Sequence, residues 1–174
     1  MLKSKNLSLR EIRKSDLSKF VKWLNEPDIT EFLTIIPPLT CEQEQKWYEE
    51  MYSDDARINF PIDLNETGEL IGTCGFNINR IYKYAHLGII IGEKKYWNKG
   101  CGTECLKLLI NHIFSNYEFE RIELDVFEYN LRAIRCYEKI GFVKEGIKRN
   151  AIFKKGKYQN IVMMSILRSE WKKE

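Results

Sequence analysis

Asn130-Leu131-Arg132-Ala133-Ile134-Arg135-Cys136-Tyr137-Glu138-Lys139-Ile140-Gly141-Phe142 reads as a helix that Asn130 caps and that carries one tyrosine among charged and apolar neighbours. Upstream lies the apolar run Ile89-Ile90-Ile91, then Trp97-Asn98-Lys99-Gly100-Cys101-Gly102-Thr103, a glycine loop opening a long helix. Strand, glycine loop and helix N-terminus together make a cradle for a pyrophosphate. Glycines let an anion approach the backbone, and the first N–H groups of a helix offer free donors at its positive end. Residues 98–103 supply those donors, with Lys94, Lys95 and Lys99 adding positive charge nearby. The loop is not a nucleoside-triphosphate loop, because no Gly-Lys-Ser/Thr follows. Nor is it a dinucleotide fingerprint, because the third glycine is missing.

Around this pair the chain alternates between strand and helix patterns. Leu7 and Leu9 share one face of a first strand. Ser15 reads as the N-cap of a helix in which Phe20, Trp23 and Leu24 recur at helical spacing, and Pro27 ends it. Residues 32–39 read as a loop, since Pro37-Pro38 removes two donors. Thr40-Cys41-Glu42-Gln43 is a capping box, opening a second helix to about Tyr52. Residues 59–64 and 70–79 read as a hairpin around Asn65-Glu66-Thr67-Gly68, and residues 82–91 as a third strand with Ala85, Leu87, Ile89 and Ile91 on one face. After Gly100, Leu106, Leu109, Ile110, Ile113 and Phe114 make a helical stripe. Residues 121–126 form a strand, and two more strands close the chain around Lys155-Gly156-Lys157. Passing from strand 82–91 through a helix to strand 121–126 demands a parallel pairing within an otherwise antiparallel sheet.

Length and composition bound the rest. The 174 residues predict one domain, residues 1–174, with enough chain to bury a core. A net charge of +3 calls for neither nucleic acid nor membrane as partner. No apolar run follows Leu2, and the longest uncharged stretch is far short of the ~20 residues a membrane span needs. The five scattered cysteines read as reduced thiols of a cytoplasmic protein. Cys101 and Cys105 lie one turn apart, but no third and fourth ligand is spaced to complete a metal site, so no metal is expected. Nothing in the chain bars self-association.

The Asn-x-x-Ala-x-x-x-Tyr-Glu-Lys-x-Gly-Phe pattern, placed behind the strand and glycine loop, resembles the GNAT superfamily of acetyl-CoA-dependent N-acetyltransferases over essentially the whole length. Within it the chain resembles the branch of ribosomal-protein N-terminal and polyamine acetyltransferases. The resemblance implies an α/β fold in a single domain, with a mixed, mainly antiparallel sheet splayed at the cofactor site and about four flanking helices. It implies that the backbone of Ile89, Ile90 and Ile91 pairs with pantetheine, that Trp97, Asn98, Lys99, Gly100, Cys101, Gly102 and Thr103 hold the pyrophosphate, and that Asn130, Ala133 and Arg135 complete the cofactor side. Trp97 departs from the Gln or Arg usual at that place. Tyr137 stands where the family points a phenol at the thioester sulfur; its place on a helix beside Ile134 and Phe142 would by itself read as a core tyrosine. For the base, Asp125 matches a carboxylate of several members, and His86 stands where this branch often has Glu. A Cys136 acyl-enzyme is disfavoured, since adjacent helical residues point apart and no histidine is local.

The expected activity is direct transfer of acetyl from acetyl-CoA to a primary amine in a ternary complex. The acceptor pocket should be built from the first two helices and their loop, residues 28–40, together with the closing hairpin near residues 153–158. A protein N-terminal amine is the first expectation. A polyamine, with Glu31, Glu42, Glu44, Glu49 and Glu50 as candidate counter-charges, and an aminoglycoside are the alternatives. A non-catalytic acetyl-CoA sensor is the reading from another class, and retention of Tyr137 argues against it.

Overall fold

The computed structural model describes residues 1–51 and 55–172. Its elements are β1 (Leu2–Lys3), β2 (Leu7–Leu9), α1 (Leu17–Asn25), α2 (Pro27–Thr30), α3 (Cys41–Met51), β3 (Arg57–Leu64), β4 (Leu70–Asn79), β5 (Tyr84–Ile91), α4 (Cys101–Asn116), β6 (Arg121–Phe127), α5 (Leu131–Ile140), β7 (Val143–Lys154) and β8 (Lys157–Leu167). The strands form one sheet in the order β1-β2-β3-β4-β5-β6-β8-β7. Among the described residues only β5 and β6 run parallel, joined by the crossover through α4; the other pairings are antiparallel.

That parallel contact is short. It covers Tyr84↔Arg121, Ala85↔Ile122 and His86↔Glu123 and then stops, although β5 continues to Ile91 along β4 and β6 continues to Phe127 along β8. The two central strands diverge beyond His86 and leave a V-shaped gap. Alternation along β5 sorts its side chains between two layers. Ala85, Leu87, Ile89 and Ile91 join the core under α4 and α5, where Leu106, Leu109, Ile110 and Ile113 are buried and Phe114 half-buried. Ile90 joins the smaller core of Phe20, Trp23 and Ile29 under α1 and α3. Gly92 is required where β5 ends, because a Cβ there would stand 2.0 Å from the Trp23 ring.

Several local expectations are corrected. Ser15 is not the N-cap: residues 14–16 form a 3-10 turn, and Asp16 precedes α1. Pro27 does not merely end α1, which stops at Asn25. It opens the four-residue α2, where its missing N–H costs nothing. The structure therefore has five α-helices rather than four among the described residues, and the two-residue β1 is too short to show a period. The capping box holds: Gln43 N–H donates to Thr40 Oγ1 at 3.2 Å and Thr40 N–H to Gln43 Oε1 at 2.8 Å. The expected helix end at Tyr52 lies outside the described residues.

One ionic cluster ties the first helical layer to the sheet. Arg10 donates to both oxygens of Asp16 at 2.7 and 2.9 Å and, through Nε, to Asp63 on β3 at 2.6 Å. Burial works against the ionised Asp16, yet the Arg10 guanidinium and the Arg13 amide outweigh it and hold its carboxyl below the usual range. The three side chains are 13%, 7% and 14% exposed. Removing one partner of a buried ion pair costs about 3–5 kcal/mol, because a buried charge is left uncompensated. Arg10→Leu should lose about that much in urea unfolding; a loss below about 1 kcal/mol would show the cluster to be energetically neutral.

Candidate active site

The gap between β5 and β6 is the first component of the site. Gly92 N–H donates to Ile71 O at 2.9 Å, which makes Ile71 and Gly92 a hydrogen-bonded pair of the β4–β5 ladder. Strict alternation then pairs the backbone of Ile90 with Thr73 and turns the N–H and C=O groups of Ile89 and Ile91 into the gap. Of the three isoleucines offered by the sequence, Ile90 spends its backbone on β4. Ile91 O is also taken, by Trp97 Nε1 at 2.7 Å. The groups left for an extended ligand are both of Ile89 and the N–H of Ile91.

The glycine loop follows a 3-10 turn at Lys94–Tyr96. Asn98 and Gly100 both take left-handed conformations, at φ 60° and 83°, which bends the loop into the N-terminus of α4. Gly100 is the N-cap and provides no capping side chain, and the intrahelical bonding starts with Glu104 N–H to Gly100 O at 3.0 Å. The N–H groups of Cys101, Gly102 and Thr103 therefore point out of the helix end unused. Three outward donors, a glycine with no Cβ among them and a helix dipole behind them fit a pyrophosphate. The lysines are a correction. Lys94 is held by Asp28 at 2.8 Å and Glu26 at 3.1 Å, and Lys95 by Glu69 at 2.8 Å, so both are drawn away to other carboxylates. Lys99 lies over the Tyr96 ring. Backbone donors, rather than a lysine cluster, carry this cradle.

Helix α5 packs against the start of α4. Asn130 Oδ1 accepts from Ala133 N–H at 3.2 Å, closing its first turn, and Cys136 Sγ lies 3.3 Å from Thr103 Oγ1. That contact spends Cys136 and Thr103 on holding the two helices together. Tyr137 packs on the same core as Ile89 and Ile91, with its ring centroid 5.9 Å from that of Phe142. Burial pushes its phenol above the ordinary value, so it is a protonated donor at neutral pH. Among the described residues no side chain or carbonyl is hydrogen-bonded to its hydroxyl, and no buried polar side-chain atom is unsatisfied, so the hydroxyl of this half-buried residue is not sealed in the core. Arg135 is exposed, whereas Arg132 stacks on the Trp97 ring, 3.9 Å from its centroid.

His86, Glu123 and Asp125 lie on the opposite face, the side of α1 and α3. His86 Nδ1 is 3.5 Å from Glu123 Oε1, and Asp125 is paired to Lys148 at 2.7 Å. Between His86 and Ile90 on this face stands Gly88, where a Cβ would meet nothing within 4 Å, so the sheet is open there. The segment after α2 roofs this side. Lys154 Nζ donates to the carbonyls of Thr30 (2.6 Å) and Leu33, Lys155 pairs with Glu31 at 3.1 Å, and the Tyr129 hydroxyl donates to Glu31 O at 2.6 Å. Sequence reading missed Glu123, Tyr129 and Lys154. Glu123 was legible only as the residue sharing a strand face with Asp125; Lys154 carries no local signal, since its partners lie more than 120 residues away.

Of the five glutamates proposed as counter-charges, Glu31 and Glu50 pair with lysines, Glu49 accepts from Gln45, and Glu42 is exposed. Glu44 alone is buried, and burial raises its carboxyl above the usual range.

The chain that builds these splayed strands and this outward-facing helix terminus is similar to known acetyltransferases. Residues 6–143 match the family model described as an acetyltransferase (GNAT) domain. An uncharacterized N-acetyltransferase p20 of Bacillus licheniformis is 30% identical over 98% of this chain and 97% of that protein. A spermidine N(1)-acetyltransferase of Vibrio cholerae is 27% identical over 95% of each chain. The crystal structure of spermidine N-acetyltransferase from Vibrio cholerae in complex with CoA and spermine superimposes with a TM-score of 0.90, at 27% identity, over 96% of this chain and 98% of that one. The gap, the cradle and the fold thus have one explanation: the chain belongs to the GNAT family of acetyltransferases and is an acetyl-CoA-dependent N-acetyltransferase.

Proposed function

We propose that this chain acetylates a primary amine of a polyamine or diamine, with acetyl-CoA lying along Ile89 and Ile91 and its pyrophosphate on the N–H groups of Cys101, Gly102 and Thr103. The observation carrying the acceptor class is the TM-score of 0.90 to a spermidine acetyltransferase, which reverses the preference drawn from sequence for a protein N-terminus. The placement of acid and base supports direct attack. Tyr137 stands on the α4–α5 side of the sheet, while His86 and Asp125 stand on the α1–α3 side. An amine entering from the second side loses its proton there, and the departing thiolate takes one from Tyr137 on the first.

A protein N-terminus remains the second reading, for a specific reason. Glu26, Asp28, Glu31 and Asp125 are each already paired with a lysine of this chain, at 3.1, 2.8, 3.1 and 2.7 Å, so a polycation must compete for them. Deprotonating a lysine-type amine at pH 7 costs roughly 4.6 kcal/mol, against about 1 kcal/mol for a peptide α-amine. Free-thiol release from acetyl-CoA should therefore be measured against spermidine, spermine, diamines, peptides with free N-termini and aminoglycosides. The polyamines should give the highest kcat/KM. Peptides outrunning every polyamine would move the acceptor to the protein N-terminus.

A further inference from the structure

On the α1–α3 side of the site a row of charged residues runs across the sheet. His86 is the last residue of β5 paired to β6, at the vertex of the V, and its partner in the register is Glu123. Glu123 Oε1 faces His86 Nδ1 at 3.5 Å, and its Oε2 accepts from Arg121 Nε at 2.9 Å. The two terminal nitrogens of Arg121 hold both oxygens of Glu145, at 2.6 and 2.5 Å, and Glu145 also accepts from Ser165 Oγ at 2.7 Å. The row thus crosses from β5 through β6 to β7 and β8. Arg121 holds the Glu145 carboxyl down to about 2, so that group stays ionised.

Charge counting shows what the row does for His86. One guanidinium stands against two carboxylates, which leaves a single negative charge facing the imidazole. Gaining a proton at His86 neutralises the row. Asp125 is the rival base on the same face, but its carboxylate already pairs with Lys148, and accepting a proton would forfeit that pair. Lys154 and Lys155 on the same side are held by the Thr30 and Leu33 carbonyls and by Glu31, and Arg57 stands two strands away, in register with Asn77 and so with His86. Beside His86 the absent side chain of Gly88 leaves room for an acceptor.

We propose that His86 is the base for the acceptor amine and that Glu123, itself braced by Arg121 and Glu145, is the positioning residue that orients it. This rests on the reading of the chain as an amine acetyltransferase. With Nδ1–H turned to Glu123, the lone pair of Nε2 is free for the amine. As the amine nitrogen bonds to the acetyl carbonyl carbon, its proton passes to Nε2 and the imidazolium lies against Glu123. The C–S bond breaks, sulfur keeps the electron pair and takes the Tyr137 proton, and solvent returns a proton to Tyr137 and removes one from His86. The balance is amine plus acetyl thioester giving amide plus free thiol. A 3.5 Å separation is long for a hydrogen bond, and such contacts tighten when the charged form develops.

The test is a double-mutant cycle at saturating acetyl-CoA and acceptor, using wild type, His86→Gln, Glu123→Gln, both together, and Glu123→Asp. His86→Gln should lower kcat by about 10²-fold, the low end for a general base. Glu123→Gln should lower it about tenfold, as expected for directly coupled charged groups. In the His86→Gln background the same change should do nothing further. Acceptor KM should hold, melting temperature should confirm folding, and Glu123→Asp should recover part of the loss. Equal losses from Glu123→Gln in both backgrounds, or unchanged kcat in His86→Gln, would overturn the assignment while leaving the acetyltransferase reading intact. Wild type that releases no thiol with any amine would overturn both.

Discussion

Tyr137→Phe should lower kcat by about 10²–10⁴-fold, the usual contribution of a positioned acid or base. The substitution removes one hydroxyl and keeps the ring against Phe142 and the core beneath α5. CoA affinity should hardly change, because the groups proposed to bind it are backbone N–H donors of the loop and of Ile89 and Ile91. Burial keeps the phenol protonated well above neutral pH, so the acid is available through the physiological range. A tyrosine serving only as core would behave in the opposite way, with a modest stability loss and normal turnover. The measurement is kcat at saturating acetyl-CoA together with CoA affinity by calorimetry. Unchanged turnover, with chemistry shown to limit the rate, would remove Tyr137 from the reaction.

Saturating CoA should raise the melting temperature, and Gly102→Val should abolish that rise. A ligand present at a hundred times its Kd stabilises the folded state by about 2.7 kcal/mol. For a domain of this length that corresponds to roughly 5–10 °C. Gly102 is the cleaner position for the substitution. It lies inside the first turn of α4, and a Cβ there would meet only Cys136 Sγ, at 4.0 Å. The fold should therefore tolerate valine while the pyrophosphate approach is blocked. Gly100→Val would confuse the two effects, since φ of 83° strains any β-branched residue whether or not ligand binds. ATP and NAD should shift wild type much less than CoA. A wild-type protein indifferent to CoA, or a Gly102→Val variant that keeps the full shift, would show that the cradle does not hold the pyrophosphate.

Features set by contiguous residues were legible without the fold. The stripe Leu106, Leu109, Ile110 and Ile113 made α4 legible, Thr40 and Gln43 announced the start of α3, and Gly100 and Gly102 marked the turn into the N-terminus of α4. A strand, helix and strand in succession demanded the one parallel pairing. Each of these rests on local periodicity, capping or backbone freedom, which neighbours in sequence impose on each other. Tertiary structure alone decided what those elements do for one another. Register with β4 chose Ile89 and Ile91 over Ile90 for the gap, because alternation along a strand has no absolute phase until a partner sets it. Long side chains went to partners far off in the chain: Lys94 to Glu26 and Asp28, Lys154 to the carbonyls of Thr30 and Leu33. The same holds for Glu123, an ordinary strand glutamate in sequence that stands beside His86 only because β5 and β6 meet for three residues before they part.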